Sequence, residues 1–265
     1  MSGQNLGASF WLVLVLRNII FYMEPLHDAG QMIWRYMDLP KFISLLTGMI
    51  WFARADTFED KWEGFSRHIP ALRTDEGKIV KAFGDIIAKH QKWRTGIRKA
   101  IYISCWSMAE AESVPMWKIY GSYDLGIAVQ STTTKFEQSV DLADFPFQAL
   151  GPVQYGDQLA PEFDYRKNAN FSWPLACTLH LRKRECFSFE NEWRAVLVAR
   201  SCDKKKKGIR IRISPADLIE RVFVSPLASA SFLGTVASSC ERFGLTVRPE
   251  RSQLGRRKPS RSVKP

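Results

Sequence analysis

The run Arg182-Lys183-Arg184-Glu185-Cys186-Phe187-Ser188-Phe189-Glu190-Asn191-Glu192-Trp193-Arg194-Ala195-Val196-Leu197-Val198-Ala199 reads as a basic loop feeding a strand. In its second half Trp, Leu and Val alternate with other residues until Ser201 ends the pattern, which predicts a strand. Strand side chains alternate between two faces, so Glu190, Glu192, Arg194, Val196 and Val198 are expected to share one face. Trp193, Ala195, Leu197 and Ala199 would share the other, which reads as plain core. The first face opens with two carboxylates and a guanidinium and turns apolar as the strand goes inward. Charges at the mouth of a buried strand are costly unless they are paired or used. Two readings follow: a structural Glu192–Arg194 ion pair, or a Glu-x-Glu catalytic edge approached through Arg182, Lys183 and Arg184.

Composition supports a globular chain around that strand. Of 265 residues, 46% are hydrophobic and 25% charged, enough for one large core or one core plus an insertion. The net charge is +11, and about +6 of it lies in residues 248–265, where seven Lys or Arg meet one Glu. Residues 249–265 are therefore expected to form a basic disordered tail. Such a tail suits contact with nucleic acid or an acidic partner, and equally suits plain solvation. The five cysteines (Cys105, Cys177, Cys186, Cys202, Cys240) show no CxxC, and no His stands at ligand spacing. That pattern argues against a disulfide frame or a zinc site and for a reducing compartment, so a cytoplasmic protein without a metal is expected.

Along the chain, residues 10–22 are apolar but interrupted by Arg17 and Asn18. They are too short for a bilayer span and lack the features of a signal peptide. They read either as a docking helix or as an extension upstream of a natural start near Met23, and residues 1–30 are set apart as an N-terminal extension. Residues 32–36 predict a strand with Arg35 on one face and Trp34 and Tyr36 on the other. Asp38 caps a helix through Leu46, with Pro40 in its first turn and Gly48 as the stop. A strand over 50–54 leads into a loop holding Asp56, Glu59, Asp60 and Glu63, a cation candidate that lacks the Gly or Asn of a calcium loop. Apolar periodicity predicts a long helix over 75–99, with His90 on its packed face. Strand 101–106 ends in Ser104-Cys105-Trp106-Ser107. Ser113 caps a short helix carrying Met116, Trp117 and Tyr120, closed by Gly121, and residues 126–130 form the next strand.

Further strands are expected near 151–155, 209–213 and 219–224, then a helix over 228–243 and a short strand over 245–247. Lys204, Lys205, Lys206 and Lys207, followed by Gly208, would make a basic hairpin turn joining strand 193–199 to strand 209–213. No repeat or linker divides the chain, and it contains no Walker, GxGxxG, HExxH or GxSxG sequence. The fold class is α+β: a mixed, largely antiparallel sheet with packed helices, in one domain over 31–248.

Several motifs in order resemble a family known as a domain of unknown function, DUF2971. They are Trp34-Arg35-Tyr36, Phe52-Ala53-Arg54-Ala55-Asp56, Asp60 with Trp62-Glu63-Gly64, and Cys105-Trp106-Ser107. Met116-Trp117-x-x-Tyr120, Gly126-Ile127-Ala128 and Lys183-Arg184-x-x-Phe187-x-x-Glu190-x-Glu192-x-Arg194 continue the series. The likeness runs from about residue 33 to 254 and brings no established activity. In order and spacing the chain is also similar to ADP-ribosyltransferase-like folds, which carry Arg or His on an early strand, a Ser or aromatic strand end in the middle, and a Glu on a late strand. Here Arg35, Ser104 or Ser107, and Glu192 take those places, although Ser-Cys-Trp-Ser departs from the Ser-Thr-Ser of those proteins.

That second resemblance implies NAD as substrate and a transferase or NAD glycohydrolase activity, in a toxin or defence effector. Cleaving the nicotinamide–ribose bond creates an oxocarbenium-like centre that a carboxylate stabilises. Glu192 would face that centre and Glu190 would orient or deprotonate the acceptor. Arg35 would bind a phosphate, with Arg194 and Tyr36 beside the nucleotide. Trp106, Trp117 or Tyr120 would stack on its rings, and Ser104 and Ser107 would line the pocket. Two other classes stay open. One is a non-enzymatic nucleic-acid or protein-binding module using Lys204 to Lys207 and the tail. The other is a metal-dependent nuclease using Asp56, Asp60, Glu63 and the later glutamates.

Overall fold

The computed structural model describes residues 12–16, 19–23, 30–60, 63–64, 96–121, 124–145, 147–156, 173–199 and 205–255. Its strands, in chain order, are β1 (Leu12–Leu16), β2 (Ile19–Met23), β3 (Met32–Met37), β4 (Met49–Arg54), β5 (Ile101–Ser107), β6 (Ile127–Thr132) and β7 (Phe147–Pro152). They continue as β8 (Gln154–Tyr155), β9 (Arg182–Lys183), β10 (Glu192–Val198), β11 (Gly208–Arg212), β12 (Arg221–Val224) and β13 (Glu250–Arg251). With nine described helices or short helical turns of α or 3-10 type, the class is α+β and the pairing mostly antiparallel. The chain gathers into two compact units. One comprises Met1–Gln31, Trp51–Met108 and Asp141–Ile211; the other comprises Met32–Ile50, Ala109–Val140 and Arg212–Pro265.

In the first unit β10 is central. It pairs antiparallel with β5, from Glu192↔Ser107 to Val198↔Ile101, and with β7, from Trp193↔Pro152 to Val198↔Phe147. With a neighbour on each edge, β10 is buried along its whole length. Its Val196 and Val198 pack with Ile101, Ile103 and Ala149, and with Ala176, Cys177 and Leu181 in and after the helix Trp173–Leu179. That helix has no counterpart in the sequence reading, because it is short and almost wholly apolar, with Thr178 its one polar residue, and so shows no amphipathic period. β4 joins β5 through Ala53↔Ile103 and Arg54↔Tyr102. Residues 12–16 and 19–23 form an antiparallel β1–β2 ladder rather than a docking helix. The long helix expected over 75–99 lies outside the described residues except at 96–98, which are helical.

The expected basic hairpin beside β10 does not form, because both edges of β10 are already taken. β11 instead lies along β4, where the Arg54 backbone N–H donates to the Lys207 carbonyl at 2.8 Å. Gly208 makes that approach possible: a Cβ there would sit 2.2 Å from a Trp51 ring carbon and 2.4 Å from the Phe52 carbonyl oxygen.

In the second unit β6 pairs antiparallel with β3 and β12, and β13 runs parallel to β12. Asp38 caps the helix Leu39–Leu46 through the Lys41 N–H at 2.9 Å, and Ser113 caps the helix Val114–Tyr120. Trp34, Tyr36, Met116, Trp117, Ala128 and Phe223 form the unit's aromatic core. The last strand falls at Glu250–Arg251 rather than 245–247, and Ser252 beyond it is buried. Residues 249–255, placed by sequence in the tail, are therefore part of the fold.

Gly208→Ala should lower stability by about 1–3 kcal/mol through overpacking against Trp51 and the β4 backbone. Urea unfolding should show a lower midpoint with an unchanged slope.

Candidate active site

The approach to β10 is a built turn. β9 leads through Arg184 into a 3-10 turn, Glu185–Glu190, which Asn191 ends in the left-handed conformation, φ 42°. Among non-glycine residues asparagine tolerates this conformation best. The end of β5 clamps the turn. The Ser107 hydroxyl donates to the Glu190 carbonyl at 2.9 Å, the Met108 N–H donates to the Asn191 carbonyl at 2.6 Å, and the Asn191 side chain donates to the Met108 carbonyl. Glu190 is consequently not on the strand with Glu192, as simple alternation had it. The 3-10 turn carries it, and a shared cation returns its carboxylate to the same place.

That cation is Lys183. Its Nζ donates to Glu190 Oε2 at 2.5 Å and to Glu192 Oε1 at 2.7 Å, and lies 3.4 Å from Glu63 Oε1. Arg194 completes the cluster. Its Nε donates to Glu192 Oε2 at 2.7 Å and its Nη2 to Glu192 Oε1 at 3.0 Å. The far side of the same guanidinium meets both oxygens of Glu63 at 3.2 Å, and Nη1 also donates to the His180 carbonyl at 2.9 Å. Arg194 is 0% exposed, Glu192 3%, Glu63 and Glu190 4%, and Lys183 9%. Glu63 reaches this position because Gly64 turns at φ +70°, pressed against His180 so closely that a Cβ would lie 2.3 Å from the imidazole Nε2.

The two carboxyls of the Glu-x-Glu motif differ sharply. Burial, then the hydrogen bond and charge of Glu192, push Glu190 up to about 7. Burial acts to raise Glu192 as well, but the Arg194 charge, the hydrogen bonds from Glu190 and Arg194, and the Lys183 charge hold it well below the usual carboxylate range. Burial opposes the charge on Lys183 and on Arg194, yet the surrounding carboxylates, Glu192 foremost, hold both above their ordinary ranges. Tyr155 accepts the Glu192 backbone N–H at 2.8 Å, and burial raises its phenol. Cys105, opposite Arg194 in the register, is a neutral thiol pushed up by burial and then by Glu192.

The structure thus brings Glu190, Glu192 and Arg194 together and adds Tyr155, which the sequence reading did not assign to the site. Lys183, read only as part of a basic approach, is inside the cluster, and Glu63, grouped with the later glutamates only in the nuclease alternative, reaches Arg194 from 131 positions away. Its neighbours are also paired: Asp60 accepts from Arg184 at 3.1 and 3.2 Å, and Asp56 from Arg54 at 2.6 Å. Among the described residues no group of three or more His, Cys, Asp or Glu is placed to hold a metal ion. Cross-strand partners share a face, so Ser107 and Cys105 lie on the Glu192–Arg194 face, while Ser104 and Trp106 lie on the opposite one, buried, with the indole N–H donating to the Ser104 hydroxyl at 3.2 Å.

Arg35, Tyr36, Trp117 and Tyr120 belong to the second unit. Arg35 is half-buried and Tyr120 exposed. Tyr36 and Trp117 meet edge to face at 5.0 Å, Tyr36 accepts the Ser113 N–H at 2.9 Å, and burial pushes its phenol up to about 12. Trp117 donates to Glu112 at 3.0 Å, so both rings are committed to the core. Lys205, Lys206 and Lys207 are exposed; Lys204 lies outside the described residues. No described helix is long and apolar enough to cross a membrane.

An α+β fold with a buried, unlike carboxyl pair at the end of a central strand defines the class. No family model and no curated protein matches the sequence. Among solved structures the chain is similar to Thermus sp. 2.9 DarT in complex with NAD+, at 11% identity over 86% of this chain and 98% of that one, with a TM-score of 0.37. It is also similar to the same protein in complex with ADP-ribosylated ssDNA, at 12% identity over 84% and 93%, TM-score 0.36. The complex with carba-NAD+ gives 10% identity over 85% and 96%, TM-score 0.34. Residue roles come from the geometry of the cluster itself.

The cluster makes stability depend on pH in two directions. Glu190 binds its proton more tightly when folded, so its contribution is complete below the ordinary carboxylate range, about 4.3, and is lost as pH rises through about 7. Glu192 contributes above that range and is lost on acidification. Thermal unfolding should be most resistant in mildly acid solution, and Glu190→Gln should flatten the decline toward pH 8 without removing the acid-side loss.

Proposed function

We propose that the carboxyl pair cleaves an N-glycosidic bond of NAD, making the protein an ADP-ribosyltransferase or NAD glycohydrolase suited to a toxin or defence role. The observation that carries this reading is the division of labour between Glu190 and Glu192. Two carboxyls whose surroundings push their proton affinities apart are the usual signature of separate acid–base and electrostatic roles. Glu192 stays ionised and stabilises positive charge developing at the ribose C1′ as the bond to nicotinamide breaks and nicotinamide leaves with the electron pair. Glu190, near its midpoint at neutral pH, takes the proton from the acceptor as its oxygen or nitrogen attacks C1′. Water as acceptor gives hydrolysis; another nucleophile gives transfer. The exposed Lys205–Lys207 turn supports a polyanionic acceptor such as nucleic acid.

The test is nicotinamide release from NAD by the purified protein, with and without single-stranded DNA. Glu190→Gln mimics the protonated acid, so it should stay within about 1 kcal/mol of the parent in stability while transfer falls by about 10²–10⁴. Glu192→Gln leaves Arg194 without its closest partner and should cost about 3–5 kcal/mol. Its rate per folded molecule should fall by about 10²–10³. Parental turnover in folded Glu192→Gln protein would overturn the proposal.

A further inference from the structure

Counting charge around the pair exposes a role for Glu63 that its distance in sequence conceals. The groups of the cluster come from several elements: Lys183 from β9, which joins Glu190 to Glu192 and lies against Glu63; Glu192 and Arg194 from β10; Glu63 from the segment before Gly64; and Cys105 from β5, opposite Arg194. Tyr155 of β8 and His180 complete the surroundings through the Glu192 N–H and Arg194. Arg184 and Asp60 neutralise each other beside it, and on its own turn Glu185 and Cys186 are exposed. Tyr155 and Cys105 are neutral. Among the described residues three carboxylates therefore meet two cations in a largely buried site. Low-dielectric surroundings penalise the unbalanced charge.

We propose that Glu63 is a positioning residue for the carboxyl pair: as third acid against Lys183 and Arg194 it leaves one negative charge in excess, which the pair discharges by keeping a proton on Glu190. Without Glu63 the two cations would balance Glu190 and Glu192, and no proton would be needed. The bidentate geometry supports this. Glu63 occupies the face of Arg194 that Glu192 leaves open and touches Lys183 as well, so it withdraws both cations partly from the pair. Gly64 against His180 fixes that placement. The catalytic meaning of the proton rests on the proposed function; its presence does not.

The experiment therefore reads the proton directly, by carbon-13 NMR of the glutamate carboxyls as pH is varied, on the full chain. The parent should titrate one buried carboxyl near pH 7. Glu63→Gln should move that midpoint down by about 1–3 pH units, the usual effect of one nearby charge. Glu63→Asp, which keeps the charge, should restore most of it. Where Glu63→Gln folds poorly, the charge-balanced double variant Glu63→Gln/Lys183→Met again leaves one acid in excess and should keep the midpoint at or above 7. An unmoved midpoint in Glu63→Gln, or a fall to the ordinary range in the double variant, would overturn the role of Glu63. Absence of NAD turnover in the parent, with the titration as described, would instead count against the proposed function alone.

Discussion

A guanidinium with no exposed surface, on the middle strand of its unit, constrains everything around it. Arg194 cannot lose its charge, and an unpaired charge at that depth is costly. Its donors must therefore be met from all sides. Glu192 meets one edge from two positions back on the same strand, Glu63 the other from a distant loop, and the His180 carbonyl fills the remaining direction. Each partner has its own support: Gly64 for Glu63, the Tyr155 hydroxyl for the Glu192 backbone, and Lys183 for the surplus carboxylates. Buried ion networks of this kind seldom stabilise more than a well-packed apolar replacement would.

Glu192 is the buried partner of Arg194, so the structural reading holds for its contacts. Glu190 is different. It bonds to the cluster through Lys183, and burial and Glu192 push it up to about 7, a poise that suits the acid–base role proposed for it.

Strands that are apolar or alternate were legible in the sequence, as were helices with strong caps. β3, β5, β6, β10 and β12 fall within a residue or two of their expected places, and Asp38 and Ser113 cap as read. What local pattern does not encode is strand adjacency. A hairpin from β10 to β11 was the shortest connection, but β5 and β7 occupy both edges of β10. The helix Trp173–Leu179 and the parallel pairing of β13 likewise depend on tertiary packing. At the site, Glu192 and Arg194 were visible from strand alternation. Glu190 was placed on the right face for the wrong reason, since Asn191 breaks the strand and Lys183 retrieves the side chain. Glu63 was grouped with the later glutamates only as a metal ligand, and its pairing with Arg194 could not be read because that partner is 131 residues away.

If Glu192 meets the ribose of NAD as proposed, a crystal structure of the protein with a non-cleavable dinucleotide will show ribose hydroxyls on Glu192, with Lys183 drawn off one carboxylate and Glu63 still holding Arg194. A dinucleotide seated elsewhere, with the five-residue cluster unchanged, would show that these charges serve the fold alone.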